Sequence, residues 1–282
     1  VENKSSNYID SINLMIDTSD LLLIDLAIKK NFEGKKINYD DLNFLINDAK
    51  ALIKKNYQDR QIIHTIVQKH YINNNLIHTF PSKELKCDSL ILELKFMCIT
   101  NYTINNLNKV FKKNNIEIKK FYNSSYIKSS NYNSHFTGYD KKFFLDIGYK
   151  KTCLTYFEKD KLIFMKIIPV GGNHITNDIS KVLKIDFTTA EKIKINLNQS
   201  NVTFSDETEN EQNLKINIEE EFKEKISFDL LKKVIYARID EILNLIFIDI
   251  SFKDLISDSD KSILVFTGYG SKILDKNSIY LK

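Results

Sequence analysis

Tryptophan is absent from this chain of 282 residues, and glycine, proline and cysteine are scarce, at seven, two and three. The cysteines, at 87, 98 and 153, are odd in number and widely scattered, which argues against a disulfide framework or a zinc site. No run of eighteen apolar residues occurs. The most apolar stretch, 243–250, is broken by Asn244 and Asp249, so a membrane-crossing helix is not expected. The first ten residues carry no apolar signal segment. These absences lead to the expectation of a cytoplasmic protein. A dominant charge sign is missing as well: 41 Lys and Arg face 37 Asp and Glu, and only Arg60 and Arg238 are arginines. A nucleic-acid surface calls for a basic stripe with arginine or aromatic readers, and neither is present. The wealth of Asn, Ile and Lys is what an AT-rich coding bias produces.

With 43% hydrophobic residues the chain can bury real cores. Residues 11–30 read as two strands, and Gly34 and Asn38 as a turn before a helix. Leu42, Leu45, Ile46, Ala49, Leu52 and Ile53 then make one apolar face at helical spacing, with Asp40 and Asp41 in the first turn. Strands are expected at 61–72 and 90–100, a helix at 103–113 and a strand at 116–122. The Ser-, Asn- and Tyr-rich stretch 124–140 looks like a boundary. Beyond it come three successive strands, ending in Pro169, and two helices at 173–184 and 188–196, the first capped by Asn173 or Thr176. Residues 198–225 are polar and acidic and read as a solvated hairpin or insert, with 207–224 as a solvated face. A long helix from 228 to 247 and an apolar strand at 262–267 follow.

Five of the seven glycines fall in three short loops, each directly after a strand: Gly148, Gly171–Gly172 and Gly268–Gly270. A glycine-poor chain keeps glycine where the backbone needs positive φ or close approach. Asp146-Ile-Gly148 at a strand end offers a carboxylate for a magnesium-bound water, a backbone that phosphate oxygens can approach and, at Thr152, a hydroxyl. Paired glycines before a helix suit an anion, because free N–H groups and the helix dipole favour negative charge there. Taken singly, each loop reads as an ordinary turn, and an Asp-x-Gly at a strand end is more often just that. Glu191 and Lys194 read singly as a surface ion pair, worth about 0.2–0.5 kcal/mol. His64, His70 and His78 show no ligand spacing, and His174 reads as a helix-start residue.

Together, in this order, Asp-x-Gly before a hairpin, Gly-Gly before a helix, Ala-Glu-x-x-Lys and Thr-Gly-x-Gly resemble the second lobe of the actin, heat-shock chaperone and sugar-kinase superfamily. Within it the chain is most similar to the bacterial cell-division protein FtsA family. IIPVGGNHITNDIS at 167–180, AEKIKI at 190–195 and ARIDEIL at 237–243 carry the resemblance, and DRQIIHTIVQKHYI at 59–72 is similar to a strand of that family's inserted subdomain.

The resemblance implies an α/β, actin-like (ribonuclease H-like) two-lobe core with an FtsA-type inserted subdomain. Residues 11–100 would form that subdomain of the first lobe, 101–140 its return segment and linker, and 141–282 the second lobe, with a small insert near 190–257. It implies ATP and magnesium as cofactors: Asp146, through water, with Gly148 and Thr152 on the phosphates, and Gly171, Gly172 and Asn173 on the phosphate–ribose side. Glu191 and Lys194 would approach ribose and adenine, and Gly268, Tyr269 and Gly270 would flank the base. The implied protein is an adaptor, at most a weak ATPase. It polymerises with itself, binds the C-terminal peptide of the division protein FtsZ and sits at the cytoplasmic face of the inner membrane through a C-terminal amphipathic helix. No partner nucleic acid is implied.

The departures qualify the chemistry. Where the family's loop reads Asp-Ile-Gly-Gly-Gly-Thr-Thr-Asp, this chain has Asp146-Ile-Gly-Tyr-Lys-Lys-Thr-Cys153. Either Tyr149 and Lys150 block the backbone's approach to phosphate, or Lys150 or Lys151 reaches it as a point charge. The family's first phosphate loop and its amphipathic tail have no counterpart, which leads to the expectation that this is a piece of a longer product. A nucleotide-dead scaffold, an ATP-hydrolysing or phosphotransferring enzyme of the superfamily, and a pilus-assembly relative stand as alternatives.

Overall fold

The computed structural model describes residues 8–77, 85–199, 228–248 and 261–273. His78 and the acidic stretch 207–224 lie outside them, as does all of the polar stretch except Asn198 and Gln199. The chain divides into two compact units, Val1–Asn131 and Tyr132–Lys282. Among the described residues no helix is long and apolar enough to cross a membrane.

The first unit begins with strand β1, Ser11–Ile16, followed by β2, Leu22–Ile37. The turn expected at Gly34 is instead a bulge inside β2: pairing shifts register between Asn31 and Lys35, where Glu33 and Gly34 take φ of 53° and 77°. Two extra residues in one strand, three facing the single Asp88, need such a backbone, and glycine adopts it without steric cost. Helix α1, Tyr39–Asn56, starts where Asn38 accepts the N–H groups of Asp40 (2.8 Å) and Asp41 (3.2 Å), while Asp41 accepts the Asn38 N–H. This reciprocal cap satisfies donors the first turn would otherwise leave open. Strands β3 (Arg60–Ile72), β4 (Asn75–Ile77) and β5 (Leu85–Thr100) complete an antiparallel sheet of order β2-β5-β3-β4. Leu45, Ala49 and Ile53 of α1 pack with Leu90, Leu92, Leu94 and Phe96 of β5, while Leu52, counted in the apolar face above, is 44% exposed.

Helix α2, Asn101–Lys112, is capped by Thr100 and leads to β6, Glu117–Asn123, which pairs in parallel with β1. Ile99, Ile104, Phe121 and Ile16 gather these pieces into a second cluster. The stretch expected to be a boundary contains helix α3, Ser124–His135, and the division between the units falls within it.

The second unit is a sheet of order β10-β7-β8-β9, with β7 Lys141–Ile147, β8 Thr152–Glu158, β9 Lys161–Ile168 and β10 Ser262–Thr267. Strands β7 to β9 form an antiparallel meander; β10 runs parallel to β7, with Thr267 opposite Asp146. Helices α4 (Gly172–Leu183), α5 (Phe187–Gln199) and α6 (Phe228–Phe247) follow β9. Ile242 and Ile246 of α6 cover Phe143, Leu145 and Leu154 on the sheet. Ile175, Ile179, Ile193 and Ile235 join the three helices in a core of their own.

His64 on β3 lies between the rings of Tyr122 and Tyr126, and its Nε2 accepts the Asn123 N–H at 2.9 Å. Burial lowers the imidazole pKa from 6.5 to about 4. Between those two values the unfolded chain binds a proton that the folded chain refuses, so stability falls as pH drops through that window. Urea unfolding at a series of pH values should show this slope, and His64→Gln should flatten it.

Candidate functional site

Strands β7, β9 and β10 all point their carboxyl ends to one edge of the second unit's sheet, because β7 and β10 are parallel and the meander returns β9 to the direction of β7. The three glycine loops leave from those ends. That topology places ligand loops together outside the carboxyl ends of strands.

The loops meet backbone to backbone. A Cβ on Gly171 would lie 2.5 Å from the Gly148 carbonyl oxygen and 2.8 Å from the Lys151 nitrogen. One on Gly270 would lie 2.5 Å from Ile147 Cγ2, and one on Gly268, whose φ is +86°, 2.5 Å from Asp146 Oδ1. Gly172 differs: its nearest neighbours would be the Gly148 oxygen at 3.6 Å, and the Gly270 Cα and Lys194 Nζ at 3.7 Å, ordinary contacts. The close approach expected toward a ligand is therefore, at Gly171, Gly268 and Gly270, an approach between neighbouring loops.

Helix α4 begins with Gly171 as its cap residue, not Asn173 or Thr176. Its first N–H groups already have partners: Gly172 donates to the Gly148 carbonyl (2.8 Å) and Asn173 to the Tyr149 carbonyl (2.7 Å). His174, as expected, serves the helix start, its Nδ1 accepting the Gly171 N–H at 3.2 Å. Gly148 in turn donates to the Lys151 carbonyl at 2.9 Å, closing the Gly148–Lys151 loop into a turn.

Lys194 is buried, 5% exposed, and so is not the surface partner its spacing suggested. Its ammonium donates to the Gly172 carbonyl (3.1 Å), the Thr176 hydroxyl (2.7 Å) and Glu191 Oε2 (2.6 Å). Three donors meet three acceptors, which is the full capacity of the group. Thr176 also hydrogen-bonds Glu191. The triad ties α5 to the first turn of α4. Thr176, expected as a cap, is instead a member of this triad; its position four residues after Gly172, beside the apolar Ile175 and Ile179, was the available signal. A second tie, Arg238 Nε to Asp178 Oδ2 at 2.6 Å, fastens α6 to α4. Helix α5 starts where Asp186 accepts the N–H groups of Thr188 (2.9 Å) and Thr189 (3.0 Å).

Fit to a magnesium nucleotide is uneven. Asp146 stands at the end of β7, where one carboxylate can hold a metal-bound water. Tyr269, 82% exposed, and buried Gly270 lie in the loop after β10, and Lys272 Nζ sits 4.6 Å from the Tyr269 ring centre. On the phosphate side, the Thr152 hydroxyl is fully buried and donates to the Val170 carbonyl at 2.7 Å. Lys151 is buried as well, whereas Tyr149 and Lys150 are exposed. Of the two lysines considered for phosphate, Lys150 is the one with access. Among the described residues no cluster of three or more His, Cys, Asp or Glu could hold a bare metal ion.

The fold and the meeting of its three glycine loops define the class: this is an α/β protein with the actin-like ATPase fold. A chain of the PilM-PilN type IV pilus biogenesis complex superposes on 97% of this chain and 67% of its own length, with a TM-score of 0.64 and 9% identity, a likeness of fold alone. Residues 143–268 match the family described as Cell division protein FtsA. The Cell division protein FtsA of Buchnera aphidicola subsp. Baizongia pistaciae (strain Bp) is 37% identical over 102 residues, 36% of this chain. That stretch spans 24% of the relative's length. The likeness to FtsA lies in the segment that carries the loops at Gly148 and Gly171–Gly172 and reaches Gly268.

Substitution at neighbouring glycines separates backbone clearance from ligand contact. Gly171→Ala should lower stability by roughly 1–3 kcal/mol through overpacking, and Gly172→Ala should be within about 1 kcal/mol of the parent. Equal losses in urea unfolding would contradict the clearances. Lys194→Met, which strands three acceptors around a buried position, should cost roughly 2–3 kcal/mol in the same measurement.

Proposed function

We propose that this FtsA-like chain serves cell division as a nucleotide-holding adaptor: it binds ATP with magnesium in the crevice at the ends of β7, β9 and β10, self-associates as an actin-like polymer and links the C-terminal peptide of FtsZ to the cytoplasmic face of the membrane at the septum. One observation carries the reading: the three glycine loops, far apart in sequence, meet at one edge of the sheet, and the FtsA-matched segment runs from β7 to Gly268. In this reading Asp146 holds the metal through water, Gly148 and the Tyr149–Lys150 backbone face phosphate, Gly171–Asn173 support the phosphate–ribose side, and Gly268–Gly270 flank the base. Glu191 and Lys194 act behind the crevice, holding α4 in place, rather than on the nucleotide. Magnesium bound there would screen the phosphate charge. An adaptor with at most slow hydrolysis suits a site whose Thr152 hydroxyl is turned to Val170.

A second reading, a scaffold of the same fold that holds no nucleotide, is favoured by the Gly172 and Asn173 N–H groups being bonded to the Gly148 and Tyr149 carbonyls. Titration of ATP with and without magnesium, beside an FtsZ pull-down, separates the two. Micromolar, magnesium-dependent binding that Asp146→Asn weakens about tenfold supports the adaptor that holds nucleotide. FtsZ capture without ATP binding supports the scaffold, and failure of both sinks the division role.

A further inference from the structure

A cavity of about 630 Å³ opens in the first unit among α1, β3, α2 and β6. Its size falls within the range of about 300–1,000 Å³ typical of small-molecule sites. Four lysines line it: Lys50 and Lys54 on α1, Lys119 and Lys120 on β6. No Asp or Glu is among its lining residues. Lys50 and Lys54, four apart, share one face of α1, so two distant parts of the chain bring two cations each to one wall-lined space.

Ordinary explanations cover only part of this. The negative end of the helix dipole accounts for Lys54 in the last turn of α1. It does not account for Lys50 or for the pair on β6. None of the four makes an ion pair among the described residues. A second cavity nearby, of about 450 Å³, is lined by both Lys112 and the acids Asp10 and Glu117, so charge of one sign is no general property of this surface. His64, also in the wall, adds no charge near neutrality, since its Nε2 is an acceptor and the ring is neutral. Ile63, Ile104 and Phe121 give the cavity an apolar portion.

We propose that this cavity binds a small polyanion, a molecule bearing two or more phosphate or carboxylate groups. Lysines are compact point charges that serve phosphate without demanding a fixed geometry, and converging like charges in a partly enclosed space concentrate a counter-ion. The site is separate from the crevice of the second unit and does not depend on whether that crevice holds nucleotide.

Isothermal titration of the full chain with sodium tripolyphosphate and with citrate tests it. The double substitutions Lys50→Gln/Lys54→Gln and Lys119→Gln/Lys120→Gln should each weaken binding about tenfold. Lys232→Gln/Lys233→Gln on α6 should leave it unchanged, and thermal melts check that every variant folds. Lys54, Lys119, Lys120 and Lys233 are exposed and Lys50 and Lys232 half-buried, so no substitution opens a core position. No measurable binding of either probe, or equal weakening by all three pairs, overturns the proposal. So does binding to phosphatidylglycerol vesicles, or to a Glu-rich peptide, with none to the free anions; either result would make the lysines a docking surface for a macromolecule.

Discussion

The second unit is organised around one contact: the backbone of the turn from Ile147 to Lys151 pressed between the loops after β9 and β10. Gly171 rests on Gly148 and Lys151, and Gly268 and Gly270 rest on Asp146 and Ile147. Parallel pairing of β10 with β7 brings one loop alongside; the hydrogen bonds from Gly172 and Asn173 bring the other. The three helices are then positioned from this point, since Lys194 fastens α5 to the first turn of α4 and Arg238 fastens α6 to Asp178 on α4. Both ties have a cation as donor and at least one carboxylate as acceptor, the stronger class of hydrogen bond.

Much of the fold was legible in the sequence. The 3.6-residue spacing of Leu45, Ala49 and Ile53 marked α1, and the alternation in 61–72 marked β3. The bulge at Gly34 was misread as a turn, since a glycine between polar residues gives the same local signal whether the strand stops or merely gains two residues. Helix α3 was passed over because its Ser, Asn and Tyr content favours turns by propensity. There tertiary packing decides: Tyr132 and Phe136 set their rings against Phe144.

For the site, the order of the loops gave away the fold, and the details lay in three dimensions. Glu191 and Lys194, one helical turn apart, look the same in sequence whether they stand in solvent or under a neighbouring helix. Only the seating of α5 against α4 makes Lys194 a buried group with every donor taken. Thr152 was likewise expected to offer its hydroxyl to phosphate, but its strand places it between Ile147 and Ile168, with the Val170 carbonyl in reach. Residue type sets what a side chain can do, and the register of β7, β8 and β9 sets which of those options is available.

The clearances around the glycines also divide the loops by how freely their composition can drift. A coding bias toward Asn, Ile and Lys can write tyrosine and lysine at 149 and 150, because those side chains extend into open space. It cannot rewrite Gly171, Gly268 or Gly270 without pushing a methyl into the backbone of another loop. Codon usage can thus alter what the crevice offers a ligand while the frame that forms the crevice stays fixed.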